Sequence, residues 1–369
     1  MQKNKKILFL TLKVFSTTGG IEKVCRIAGK ALYESDFSVK IFSMYDAIMP
    51  NEKYFPLQIF TGFCNNKISF ILKSFREGIR NKIVILSHIN LLSIGYFIKL
   101  FSPKTQLVLF AHGIEVWQPL SVIKKKMLKK CDKILAVSNY TKNKLTEVND
   151  VNAAKCDVLN NCLDPFFAEE ENVDGYNTLY DKYKLSKDNF ILLTVTRIAA
   201  DEQYKGYDKV IDAMSKIIKD FPNVRYIIAG KYDLSEKNRL DSLVEKNNLS
   251  HAIIFTGFIS DKQLSAYYRM ADVFIMPSVG EGFGIVFIEA MYYGLPVIAG
   301  NKDGSVDALL NGRLGLMVDP DKEEEIILAV KKIINDRTDF IPDNNMLMEK
   351  FGYSIYKENV KEILQNLKN

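Results

Sequence analysis

Apolar positions fall in short runs rich in β-branched residues, and these alternate along the whole chain with stretches patterned at helical spacing. That order predicts βαβ units and parallel sheets, an α/β fold. In the first half KILFLTL, SVKIFSM, KIVILSH, QLVLFAH and KILAVS read as strands; in the second, FILLTVTR, VRYIIAG, IIFTGF, DVFIMPS and LPVIAG. Each set would build one doubly wound, Rossmann-like sheet, with a cleft between the two and ligands at the carboxyl ends of the strands. The stretch from Phe166 to Asp188 is acidic and poor in apolar periodicity, which predicts a linker. Domains are therefore expected at 1–165 and 166–350. After a break at Pro342–Asn345, YSIYKENVKEILQNL reads as an amphipathic helix, and 351–369 is expected to pack back onto the first domain. A chain of 369 residues exceeds one ordinary core and suits two domains.

Two carboxylates interrupt the apolar pattern in PSVGEGFGIVFIEAMYYGLPVIAG. Glu281 follows the strand DVFIMPS, and Glu289 stands among Phe287, Ile288, Ala290 and Met291 within the next helix. Burying a carboxylate is costly unless it is hydrogen-bonded. Glu289 therefore either points off a wet helix face or meets a partner its apolar neighbours do not supply, ligand hydroxyls being one. Between the two glutamates, Gly282, Phe283, Gly284 and Ile285 put flexible backbone and helix-start amides where phosphate or sugar oxygens could bind. One ligand that reaches both glutamates has to be long, and a nucleoside diphosphate sugar is.

Other strand ends carry polar residues. Gly19 and Gly20 open a helix expected over 21–33, as an anion site or as a plain turn. His112, followed by Gly113, ends QLVLFAH and reads as a ligand contact or a structural imidazole; His88 is a second such residue, and His251 lies in a polar loop. Arg197 closes FILLTVTR and Lys205 precedes Gly206 at the start of the next helix. Two cations converging there could hold a diphosphate and neutralise a departing phosphate oxygen; the alternative is a pair of surface cations among acidic neighbours.

The net charge of +6 is unevenly divided, +13 over residues 1–165 and −7 over the rest. A basic half suggests an anionic partner such as a membrane surface with acidic lipids. The densest cluster, SVIKKKMLKKCDK, sets Lys124, Lys125, Lys126, Lys129 and Lys130 beside Val122, Ile123, Met127 and Leu128, as in a basic amphipathic surface helix. Nucleic acid is not indicated, since zinc-finger spacing, RNP-type aromatics and a long basic arm are all missing. No apolar run reaches the roughly 18 residues of a membrane span, and no signal peptide is read. Five cysteines without a CxxC pair, and three histidines, argue against a disulfide scaffold or zinc site and for a reducing cytoplasm.

The ordered set TVTRIAADEQYKG, YIIAG, TGFISDKQLSAYYRMADVFIMPS, EGFGIVFIEAMYYGLPVIAG and GSVDALLNGRLGLMVDPD resembles the donor domain of the family-four retaining glycosyltransferases of the GT-B fold. A looser likeness in the first half rests on TTGGIEKV, AHGIEVW and ILAVSNYTKNKL. The resemblance implies that Glu281 binds hydroxyls of the donor sugar, that Glu289 binds the ribose, and that the amides after Glu281 hold the sugar and distal phosphate. It further implies that Arg197 and Lys205 grip the diphosphate without a metal, that His112 lies near the transferring sugar, and that Gly19 and Gly20 border phosphate and acceptor. No cofactor is then expected beyond the nucleotide-sugar substrate. Thr196 stands where the family often has Gly, and Asn161, Cys162, Leu163 and Asp164 replace its Asn-Gly-Val-Asp motif.

The function so implied is hexose transfer from a nucleotide diphosphate sugar, UDP before GDP, to a glycan or lipid-linked acceptor in cell-surface polysaccharide synthesis. It would take place in the cytoplasm or at the inner face of the membrane. A nucleotide-sugar 2-epimerase of the same fold and a non-catalytic subunit descended from a transferase are the alternatives.

Overall fold

Every ladder between strands is parallel, the arrangement that runs such as IVIL and VFIM favour because both faces of the strand are then covered. The computed structural model describes residues 5–17, 19–35, 37–47, 51–167 and 175–367. Two units divide the chain: the first takes Met1–Pro165 with Phe351–Asn369, the second Phe166–Lys350.

The first unit holds β1 (Lys6–Thr11), β2 (Ser38–Ser43), β3 (Phe60–Gly62), β4 (Ile83–Leu86), β5 (Gln106–Ala111), β6 (Lys133–Ala136) and β7 (Cys156–Val158). Their order is β3-β2-β1-β4-β5-β6-β7. Its helices are α1 (Gly20–Glu34), α2 (Lys67–Gly78), α3 (Leu92–Phe101), α4 (Ile114–Trp117), α5 (Val122–Leu128) and α6 (Asn139–Asn149). The second unit holds β8 (Phe190–Val195), β9 (Val224–Ala229), β10 (Ile253–Phe255), β11 (Val273–Met276), β12 (Val297–Gly300) and β13 (Leu316–Val318), in the order β10-β9-β8-β11-β12-β13. Its helices are α7 (Gly175–Lys182), α8 (Tyr207–Asp220), α9 (Leu234–Lys246), α10 (Asp261–Met270), α11 (Ile285–Tyr292), α12 (Ser305–Ala308) and α13 (Glu323–Asn335). α14 (Asn344–Phe351) leads into α15 (Tyr353–Gln365), which packs on α1 of the first unit.

Each sheet has its own core. Leu8, Val84, Leu107 and Ile134 meet Phe70, Ile98 and Leu128 in the first, while Leu192, Tyr226 and Ile275 meet Val210, Ile217 and Val330 in the second. Each such side chain contributes about 1.5–3 kcal/mol by leaving water.

Three short strands and the expected linker differ from the sequence expectation. The strands β3, β7 and β13 are only three residues long, too short to show a period of two. The expected linker is partly helical: α7 packs on α10, with Leu179 buried and the Tyr183 hydroxyl 2.7 Å from that of Tyr267. Residues 168–174 of that stretch lie outside the described residues. As expected, Lys205 precedes Gly206 at the start of the next helix: it closes a tight turn over Ala200–Lys205, and Gly206 caps α8.

Candidate functional site

The strand order of the second unit reverses between β8 and β11, so the loops after these two strands flank the switch point where such sheets take ligands. Arg197 and Lys205 follow β8; Glu281 follows β11. The loops are tied together, because Val279 N–H donates to the Tyr204 carbonyl at 2.9 Å. At Gly206 the backbone is left-handed (φ +76°), and a Cβ there would strike the Pro277 carbonyl. Only glycine allows both the turn and this approach.

This geometry brings Lys205 and Glu281 into an ion pair, with side chains 15% and 12% exposed. Burial lowers the Lys205 pKa, but the Glu281 carboxylate outweighs it and the ammonium ends above its ordinary value. Arg197 turns to another carboxylate: its Nη2 lies 2.6 Å from Glu202 Oε1. The two cations expected to converge on a diphosphate are thus each matched to a carboxylate of the protein.

Asp303, after β12, had no role in the sequence reading, yet it fixes the Glu281 loop. Its Oδ2 accepts the Ser278 hydroxyl at 2.6 Å and Glu281 N–H at 2.7 Å, and its Oδ1 accepts Ser305 N–H at 2.9 Å. Burial pushes its pKa up to about 6, against the hydrogen bonds, which lower it. Gly304 N–H donates to the Glu281 carbonyl at 2.8 Å, and a Cβ on Gly304 would enter the Gly282 carbonyl. The signal was a carboxylate just past a strand, in NKDG, which alone does not say which loop it meets.

Glu236 was missed too. It is buried, accepts the Tyr207 hydroxyl at 2.8 Å and Gln203 Nε2 at 2.9 Å, and pairs with Arg239, so it backs the loop that carries Lys205. Its signal is Asp233 three residues earlier, which caps α9.

Glu289 is 1% exposed, which removes the wet-face alternative. Its Oε2 accepts the Tyr268 hydroxyl at 3.1 Å, so one partner is a phenol of the protein itself. A ligand hydroxyl reaches this carboxylate only if surrounding side chains shift. Glu289→Ala takes that acceptor from a buried phenol and is expected to lower stability by about 1–3 kcal/mol, read as a fall in the urea midpoint. Glu289→Gln, which keeps a carbonyl acceptor, should lose less.

Phe283 contributes backbone alone, since its ring is buried in the core; Gly282 and Ile285 are half-buried, and Gly284 caps α11. His112, Gly19, Gly20 and the lysine cluster belong to the first unit. His112 Nε2 donates to the Ser87 carbonyl at 2.6 Å, and its backbone N–H donates to Glu115 at 2.6 Å. Beside it His88 accepts Asn90 N–H, and burial pulls its pKa below the ordinary value. Gly19 caps α1 with the Glu22 carboxylate where its Cβ would be, so the expected anion site already faces a negative group. Lys124, Lys126, Lys129 and Lys130 are exposed, while Lys125 pairs with Asp150 at 3.1 Å. On α5 Leu128 is buried, while Val122 and Ile123 face outward. Among the described residues, no three His, Cys, Asp or Glu side chains gather as metal ligands would.

Two family models match, "Glycosyltransferase Family 4" over residues 18–166 and "Glycosyl transferases group 1" over residues 177–357. The α-monoglucosyldiacylglycerol synthase of Acholeplasma laidlawii is 31% identical over 45% of this chain and 40% of its own length. The capsular polysaccharide biosynthesis glycosyltransferase CapM of Staphylococcus aureus is 31% identical over 56% of this chain and 53% of its own. The match thus spans about half the length of these relatives. Among solved structures, Anabaena HepE in complex with UDP and glucose superposes with a TM-score of 0.79 at 19% identity, over 98% of this chain and 100% of that one. With both units matched by family models and both sheets by that fold, the chain belongs to the family-four glycosyltransferases and has the GT-B fold.

Proposed function

We propose that the protein transfers a hexose-type sugar from a nucleotide diphosphate sugar to a glycan or lipid-linked acceptor, with retention of configuration. The observation that carries this is the Lys205–Glu281 pair at the switch point of the second sheet, on loops fixed by Asp303 and Glu236. A diphosphate arriving there competes with Glu281 for Lys205 and with Glu202 for Arg197. Glu281 is then free to take sugar hydroxyls while the cations neutralise the leaving group. In the transfer the bond from the anomeric carbon to the phosphate oxygen breaks, the acceptor oxygen bonds to that carbon, and the acceptor proton goes to the leaving diphosphate. Two cations suffice for that charge, so we assign the reaction no metal. His112 is assigned to the sugar, Glu289 to the ribose, and Gly19 and Gly20 to the acceptor side.

UDP is favoured as the nucleotide, because the structural neighbour HepE is bound to UDP. Relatives named for a glucosyldiacylglycerol and for capsular polysaccharide support a lipid or glycan acceptor. We assign the reaction to the cytoplasm or the inner face of the membrane. A thermal-shift panel of UDP-glucose, UDP-galactose, UDP-N-acetylglucosamine and GDP-mannose tests the donor site, since a ligand stabilises by how far its concentration exceeds its dissociation constant. Stabilisation by one donor, followed by its acceptor-dependent consumption, is expected. Epimerised sugar without acceptor, or no response to any donor, overturns the reading.

A further inference from the structure

Two helices of the first unit carry apolar residues on both sides. In α2, Phe70, Ser74 and Gly78 are buried at four-residue spacing, yet Ile68, Ile71 and Leu72, with Ile79 just past the helix end, form a second stripe in solvent. In α3, Ile94, Gly95 and Ile98 are buried while Phe97, Leu100 and Phe101 are exposed. Ile68 is 74% exposed, Leu72 65% and Phe101 69%. Phe75 and Phe101 meet edge to face at 5.4 Å, which joins the stripes, and α5 beside α3 adds Val122 and Ile123. Scattered surface apolar residues need no explanation, but a continuous patch over adjoining helices marks a contact surface.

We propose that this face of α2, α3 and α5 seats the protein on an anionic lipid bilayer. The charge around it selects that occupant. Residues 67–104 hold seven Lys and Arg against one acidic residue, Glu77, which is already paired with Lys40 at 2.7 Å. Lys67, Lys73, Arg76, Arg80 and Lys104 are exposed, as are Lys124 and Lys126 on α5. A second copy of the chain would set these cations against each other. A bilayer with acidic headgroups matches both features, taking the apolar side chains at the acyl boundary and the cations at the phosphates. Such attachment is interfacial: among the described residues, no helix is long and apolar enough to cross a membrane. The α5 lysines then form one edge of the surface, whose centre is the α2–α3 stripe. The inference does not rest on the transfer reaction.

Flotation of the full chain with phosphatidylcholine vesicles, with and without phosphatidylglycerol, tests it. Binding is expected on the phosphatidylglycerol vesicles and is expected to fall about tenfold between 0.1 and 1 M salt, as screening shortens. Leu72→Ser with Phe97→Ser should cut binding by at least about tenfold with melting unchanged. Ile68→Ser with Leu100→Ser provides a second pair with the same expectation. Equal binding of these variants and the parent overturns the proposal, as does equal binding to neutral vesicles. So does a dimer in sedimentation velocity that Leu72→Ser with Phe97→Ser dissociates, which would make a second copy the occupant.

Discussion

Glu281→Gln is expected to lower turnover at least a hundredfold while strengthening the hold on the nucleotide. The carboxylate has two partners in succession: Lys205 in the free protein and, on our reading, the sugar hydroxyls in the complex. Removing it deletes hydrogen bonds that position the sugar as charge develops, a loss of about 10²–10³ for a well-placed group. It also leaves a poorly exposed ammonium without its partner, which costs about 3 kcal/mol in the free protein. UDP can repay that cost by supplying the missing negative charge, so its dissociation constant should fall by about tenfold, near the 1.4 kcal/mol that a tenfold change represents. Lys205→Met should show the reverse, weaker UDP binding together with lost turnover. Calorimetric titration with UDP and single-turnover kinetics separate the two variants. If Glu281→Gln keeps its turnover, or binds UDP more weakly than the parent, the exchange of partners at Lys205 is wrong.

Asp303→Ala carries the second large effect. It strips the acceptor from Ser278, from the Glu281 amide and from the Ser305 amide, all at a buried position. Each unsatisfied donor costs about 1–3 kcal/mol, so the Glu281 loop should rearrange and turnover collapse even though Asp303 meets no substrate. Asp303→Asn keeps the volume and loses the titration. Because burial raises the folded pKa from 3.8 to about 6, the folded protein holds this proton more tightly than the unfolded chain. The charge-related cost is therefore absent below pH 4, grows as pH rises and is complete above about pH 6. Relative to Asp303→Asn, the parent should lose roughly 3 kcal/mol between pH 4 and pH 7, as measured by urea denaturation. Activity should run the other way. Protonation places a donor on one of these oxygens and weakens both as acceptors, so the parent should show an acid limb near pH 6 that the Asn variant lacks.

The long strands were legible because their apolar runs are continuous and fully buried, as with Ile83–Leu86 and Val273–Met276. The short edge strands β3, β7 and β13 were not, since three residues carry no period; of the three-residue strands only β10 was read, from the apolar start of IIFTGF. In α7 only Leu179 is firmly inside among the residues with described side chains, so its amphipathic pattern fell below what distinguishes a helix from a linker. At the site, the residue types were legible and the partnerships were not. Lys205 and Arg197 lie eight positions apart and were read toward one diphosphate; that Lys205 pairs in the fold with Glu281, from a loop after another strand, was not legible. Adjacency of β8, β11 and β12 decides that, as it decides that Asp303 serves Glu281. Pattern reading also turns every apolar helix residue inward. In α5 seven residues let only Leu128 reach the core, and Val122 and Ile123 are left facing water.

The last helix gives the chain an unusual economy of closure. α15 lies on α1, Lys5 Nζ donates to the Leu364 and Gln365 carbonyls at 3.0 Å, and the Tyr353 hydroxyl donates to Glu34 at 2.8 Å. The first unit is thus completed by the two ends of the chain, and the second is one uninterrupted segment inserted between them. A ribosome that has made residues 1–165 has made a unit still lacking a wall, while the segment at 166–350 can close on itself first. Nonsense mutations near position 350 would therefore spare the second unit and leave the first without α15, an injury felt at the end of the sequence opposite to where it was inflicted.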